Sequence, residues 1–141
     1  MSEPDPRAAA LDAADRAMAV EANAIARTRI AVRDALPRAV DLLRSARGRV
    51  IVSGLGKSGH IGAKMAATLA STGTPAFFVH SAEALHGDSG MATADDVAIL
   101  ISYSGETAEV CQFARMLKEI GTRLIAMTSD PDSSLARLAD V

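Results

Sequence analysis

Val50-Ile51-Val52-Ser53-Gly54-Leu55-Gly56-Lys57-Ser58-Gly59-His60 passes from an apolar run into a glycine-rich turn and then into alanine-rich sequence with helical spacing. Strand, tight loop and helix in that order open a βαβ unit. The order returns at Val97 to Ser102, which runs into Ser102-Tyr103-Ser104-Gly105-Glu106-Thr107 and a second helical stretch. Glycines let backbone N–H groups approach an anion, and Ser, Thr and Lys side chains add donors. Two such loops, each opening a helix, suit a phosphorylated small molecule. Gly54, Gly56 and Ser58 in the first loop, with Ser102, Ser104, Gly105 and Thr107 in the second, are therefore candidate phosphate contacts.

Outward from these loops the alternation continues. Val50 to Ser53, Ala76 to His80, Val97 to Ser102 and Leu124 to Thr128 are predicted as buried parallel strands. His60 to Thr72 and Thr107 to Ile120 are predicted helices that stop at Gly73 and Gly121, and Ser133 to Ala139 is a short last helix. Repeated strand, loop and helix units specify an α/β fold: a three-layer, open parallel sheet whose ligands bind beyond the carboxyl ends of the strands. The connection from Ser81 to Asp96 carries Glu83, His86 and Asp88 and is polar enough to be a functional loop. Before Arg49 a short Pro-rich lead, expected to be mobile, precedes a long helix over Arg7 to Arg33. There Leu11, Ala14, Met18, Ala22 and Ile25 recur at helical spacing, and a second helix covers Ala39 to Ala46. Residues 1–48 thus form a helical segment that packs on the domain or on a neighbouring subunit, and 49–141 form the sheet domain. Another strand is expected after Ala139-Asp140-Val141, so the intact sequence is expected to continue further.

The chain has 141 residues, a formal net charge of −2 and 3% aromatic residues. These values argue against a general nucleic-acid surface and against base-stacking platforms. No long uncharged apolar segment and no signal peptide is read from the sequence, so neither a membrane span nor secretion is expected. The single cysteine, Cys111, excludes an internal disulfide. It fits a reducing cytoplasm and is read as a core residue.

Competing readings of the motifs are weaker. Gly54 to Gly59 has the Gly-x-Gly-x-x-Gly spacing, but Phe78, Val79 and His80 stand where a dinucleotide site needs a ribose-binding acid. Lys57-Ser58 lacks the glycine spacing of a P-loop. One hydroxyl is enough to cap a helix, so three around Gly105 favour an anion cradle. Lys57 alone could be a solvated lysine, and Glu106 and Glu109 first-turn acids that suit the helix dipole. Three histidines without metal-ligand spacing make a dedicated catalytic metal site a poor reading.

Three further stretches complete the pattern: Ala66 to His80 with Ser71-Thr72-Gly73-Thr74-Pro75 in it, Glu83-Ala84-Leu85-His86-Gly87-Asp88, and the hydroxyl loop. From Gly48 to Val141 the chain resembles the sugar isomerase (SIS) domain, and more narrowly the arabinose-5-phosphate isomerase family of the KpsF/GutQ type. The resemblance implies a flavodoxin-like SIS fold. It implies interconversion of D-ribulose 5-phosphate and D-arabinose 5-phosphate through an enediol, for 3-deoxy-D-manno-octulosonate synthesis. It places Lys57, His86 and Glu109 on positions important for catalysis, and Gly73, Thr74, His80 and His86 on substrate contacts. The segment starting at Gln112 is also associated with substrate binding. The resemblance requires no cofactor, adds a metal contact at His80 with zinc as the metal, and implies a homo-oligomer, dimer or tetramer. The family's further catalytic histidine and paired CBS modules lie downstream of Val141 in its pattern. The alternative is a non-catalytic SIS module that binds sugar phosphate, as a sensor or as an inactive fragment.

On chemistry, Glu109 is the candidate proton acceptor, His86 the candidate shuttle for the sugar oxygens and Lys57 the stabiliser of the enediolate. Glu106 competes with Glu109, and only the family register separates them.

Overall fold

In the computed structural model, residues 5–141 are described; the first four residues of the Pro-rich lead lie outside them. Asp5 caps the first helix, α1 (Pro6–Ala31), by accepting from the Arg7 N–H at 3.0 Å, and Pro6 takes the first helical position, where no N–H is needed. The second helix, α2, runs Ala35–Ser45 and starts four residues before its predicted bound. Pro37 sits in its first turn, where the amide has no intrahelical partner, so the proline does not delay the helix.

The chain divides into two compact units, Met1–Pro37 and Arg38–Val141. Taken by itself, α1 buries none of its residues, and Leu11, Met18 and Ile25 of its apolar stripe are 73%, 61% and 72% exposed.

The second unit holds the sheet. Its strands are β1 (Val50–Gly54), β2 (Ala76–His80), β3 (Val97–Ile101) and β4 (Arg123–Met127), all parallel in the order β2-β1-β3-β4. The α/β class and open parallel sheet read from the sequence are thus present. Helices α3 (Gly56–Ser71), α4 (Ser81–Ala84), α5 (Ala108–Ile120) and α6 (Ser134–Leu138) connect and follow the strands, with a 3₁₀ turn at Asp88–Met91.

Alternate strand residues feed two cores, because successive side chains leave a strand on opposite faces. Ile51, Val79, Ala98, Leu100 and Leu124 pack with Val110, Phe113, Ala114 and Leu117 of α5, with Ala84 of α4 and with Leu135 of α6. Val50, Val52, Val97, Ile99 and Ile125 pack on the other face with Leu42 of α2 and Ala66 of α3. Both faces of β1 and β3 are covered, which is why these strands read as unbroken apolar runs.

Candidate functional site

The chain steps from β1 outward to β2 and then back across to β3, so the strand order reverses between β1 and β3. Their carboxyl ends lie side by side, Gly54 opposite Ile101, and the two donor-rich loops leave from these neighbouring positions. That crevice is where open parallel sheets bind ligands. Gly54 makes the crowding tolerable: a Cβ there would stand 3.1 Å from the Ile101 carbonyl oxygen and 3.2 Å from the Gly59 nitrogen.

The first loop is shorter than the sequence suggests. Helix α3 begins at Gly56 rather than His60, so Lys57 and Ser58 belong to its first turn. Its earliest intrahelical bond is Gly59 N–H to the Leu55 carbonyl, 3.0 Å. The amides of Gly56, Lys57 and Ser58 therefore precede the ladder and are free to serve an anion. Lys57 is exposed and Ser58 half-buried at the same end.

In the second loop the hydroxyls have unequal duties. Ser102 is buried, shares a 2.8 Å hydrogen bond with the Thr107 hydroxyl and accepts from the Gly105 N–H at 3.1 Å. Ser104 is exposed and accepts from the Glu106 N–H at 3.2 Å. Ser102 thus shapes the loop, while Ser104 and the half-buried Thr107 stand nearer solvent. Thr107 is the N-cap residue of α5, without a side-chain capping bond. The first bond of α5 is Cys111 N–H to the Thr107 carbonyl, leaving the amides of Ala108, Glu109 and Val110 ahead of the ladder. The switch point thus gathers two helix N-termini, whose partial positive charge favours an anion.

The two acids differ. Glu106 Oε1 accepts from the Ser134 N–H at 2.6 Å. This bond, then the Ser134 hydroxyl and the Arg137 charge, hold its carboxyl below the usual carboxylate range against a smaller opposing effect of burial. Glu109 is half-buried in the first turn of α5. Cys111 is buried, donates to the Gly105 carbonyl at 3.4 Å, and has its thiol pKa raised by burial and by the charge of Glu106.

His80 ends β2 opposite Gly54, so it shares the carboxyl edge. His86 is exposed two residues beyond α4. The base of α4 is fixed by a buried hydroxyl pair, Ser53 and Ser81, 2.8 Å apart. Gly73 and Thr74 fall elsewhere. They follow α3 and precede β2, at the amino edge of the sheet. The 16 residues of α3, at about 1.5 Å each, separate them from Lys57 within one chain. Gln112 is exposed on the next turn of α5 and lines a hollow of about 310 Å³ with Glu106, Cys111, Arg115 and Ser134.

Among the described residues no three or more His, Cys, Asp or Glu side chains are grouped to hold a metal ion. His80 by itself does not fit a zinc site, which needs three or four such donors. Another hollow of about 270 Å³ lies at the amino edge, near Leu42, Asp95 and Gly121. Its Arg47 is paired with Asp95 at 2.7 Å and its Arg123 with Asp140 at 3.3 Å, so each guanidinium there stands beside a carboxylate that would repel an anion. The switch point, with its unspent amides, is the stronger candidate. Sequence reasoning missed the β4–α6 connection: Thr128 and Ser129 both donate to the Tyr103 carbonyl, stitching that segment to the hydroxyl loop. Its Ser- and Asp-rich composition carries no signal of that contact.

Residues 42–141 match the model of the SIS domain. The chain is 49% identical over 131 residues to arabinose 5-phosphate isomerase KdsD of Pseudomonas aeruginosa, covering 93% of this chain and 40% of that protein. The chain therefore spans well under half the length of that relative. A solved Escherichia coli CFT073 protein in complex with arabinose 5-phosphate is 52% identical, with a TM-score of 0.73 over 75% of this chain and 56% of that one. A sugar-phosphate isomerase homologue from Listeria monocytogenes is 32% identical, with a TM-score of 0.89 over 99% of this chain and 73% of that one. No helix among the described residues is long and apolar enough to cross a membrane. The adjoining loops at the β1/β3 switch point, the matching family model and these relatives lead to one assignment: the chain belongs to the SIS domain family.

Proposed function

We propose that this chain is the sugar-phosphate-binding core of an aldose–ketose isomerase that interconverts D-ribulose 5-phosphate and D-arabinose 5-phosphate. The observation that carries the reading is the meeting of two donor-rich loops at one switch point, in a chain 49% identical to an arabinose 5-phosphate isomerase. In the proposed pose the phosphate lies between the N-termini of α3 and α5. It takes hydrogen bonds from their free amides and from Ser58, Ser104 and Thr107, with Gly54, Gly56 and Gly105 giving close approach and Ser102 holding the loop.

The chemistry then asks for three groups. A base removes one C1 proton of the ketose, and the C–H electron pair forms the enediolate double bond as negative charge moves to O2. Return of a proton to C2, with O2 gaining and O1 losing a proton, gives the aldose. Glu109 is the proposed base, because Glu106 is already engaged by Ser134, whereas among the described residues none donates a hydrogen bond to the Glu109 carboxylate. His86 is the proposed shuttle between O1 and O2, and Lys57 the cation beside the enediolate. No step is routed through zinc at His80; that residue is proposed as a substrate contact alone.

Gly73 and Thr74 lie at the amino edge, so as substrate contacts they would serve the site of another copy. This supports a homo-oligomer, as does the exposed stripe of α1. A phosphosugar substrate and a free Cys111 thiol support a cytoplasmic location.

The test has two parts. Calorimetry of this chain with D-arabinose 5-phosphate should give saturable binding, and no heat with any pentose phosphate would count against the reading. A protein carrying this domain at the full length of its relatives, given ribulose 5-phosphate in heavy water, should place deuterium at C2 of a new aldose. Glu109→Gln should lower that exchange by about 100-fold or more while phosphosugar binding persists.

A further inference from the structure

Glu106 is out of place in an anion cradle. It follows Gly105 directly, and a carboxylate aimed at a bound phosphate would repel it. The structure turns it away: Oε1 accepts from the N–H of Ser134, the first residue of α6, at 2.6 Å. The bond joins a set. Leu135 N–H donates to the Gly105 carbonyl at 3.0 Å, and Ser129 donates to the Tyr103 carbonyl through its N–H at 3.0 Å and its hydroxyl at 2.7 Å. Ser102 N–H donates to the Met127 carbonyl at 3.1 Å. Gly105 itself has φ +67°, and any Cβ there would collide with the Ser133 side chain.

We propose that Glu106 is a positioning residue: by latching the hydroxyl loop to the start of α6, it fixes the Gly105 turn and so the aim of Ser104 and Thr107 at the phosphate. The proposal rests on the phosphosugar reading above. Glu106 touches no reacting atom in it and acts only through Ser134. The β4–α6 segment becomes the back wall of the cradle, and loop shape is set by a neighbour that never meets the ligand.

A double-variant cycle isolates the latch. Ser134→Pro deletes the donor N–H at a first helical position, where proline is favoured. Ser133 before it has φ −66° and ψ 162°, a conformation that a residue preceding proline readily adopts. Glu106→Ala deletes the acceptor, and Glu106→Gln keeps an acceptor oxygen without the charge. Affinity for D-arabinose 5-phosphate and for inorganic phosphate is read by calorimetry. Glu106→Ala and Ser134→Pro should each weaken binding about tenfold, and together no more than either alone. Glu106→Gln should stay within about threefold of the parent chain. Additive losses, or a Glu106→Gln loss equal to that of Glu106→Ala, would overturn the proposal. Should Glu106→Ala fail to fold, Ser134→Pro alone carries the test: a loss of about tenfold in affinity supports the latch, and unchanged affinity overturns it. If the parent chain binds neither ligand, the phosphosugar reading fails, and amide exchange decides the latch separately. Faster exchange at Gly105 and Leu135 in both variants supports it; unchanged exchange overturns it.

Discussion

Single side chains decide how this sheet is held and where its charges lie. Asp96 is buried at the start of β3 and accepts from the N–H of Arg49 at 2.6 Å, the N–H of Thr93 at 2.8 Å and the Thr93 hydroxyl at 3.0 Å. Asp96→Ala leaves those donors unpaired, and the urea midpoint should report a loss of about 3 kcal/mol. Glu106 gives a pH signature. Its folded pKa is lowered, so the stability it adds is complete above the unfolded value and disappears as pH falls through the folded one. An NMR titration of its carboxyl carbon should have a midpoint below about 4.3, and a midpoint at or above it would mean the Ser134 bond is not formed in solution. Cys111 behaves oppositely. Burial raises its thiol pKa, so iodoacetamide at neutral pH should label the native chain slowly and the urea-unfolded chain quickly. Its burial was legible from Val110 and Ala114 beside it. The separate duties of Ser102 and Glu106 were not, because the Ser102 hydroxyl turns inward to Thr107 and Gly105, and Glu106 bonds Ser134, 28 residues away in sequence, which no local spacing encodes.

Strands and helices were legible wherever one period dominated. Ala76–His80 agrees with the predicted strand at both ends, since the apolar run starts after Pro75 and stops at a histidine. The start of α3 was not, because Gly54 to Gly59 reads as loop by composition. Gly56, at φ +52°, nevertheless enters the helix, since the first turn demands no intrahelical amide bond. Helix α4, inside a stretch read only as a polar connection, is short and set by the Ser53–Ser81 hydroxyl pair beneath it. Ser81→Ala should cost about 1–2 kcal/mol by stranding the Ser53 hydroxyl, and adding Ser53→Ala should recover part of that loss. Equal and additive losses in denaturation would show that the pair does not tie β1 to α4.

For the whole molecule, the long first helix sets the question. A helix of 26 residues that, taken by itself, buries none of them has its apolar stripe left to be covered. In the proposed oligomer its stripe is covered by a second copy. Sedimentation should then show an assembly that dissociates on dilution, with helical ellipticity falling in step. Met18→Glu with Ile25→Glu should give a monomer that keeps the sheet unit's cooperative unfolding, and an unchanged sedimentation coefficient would exclude this surface. Within the sheet unit, the margin formed by β4 is dressed. Its Leu124 amide donates to the Asp140 carboxylate at 2.7 Å and its Ala126 amide to the Val141 carbonyl at 2.9 Å. Both amides are spent, so a foreign polypeptide seeking a template on β4 finds no free N–H at these two positions, because residues 140–141 already lie along that strand.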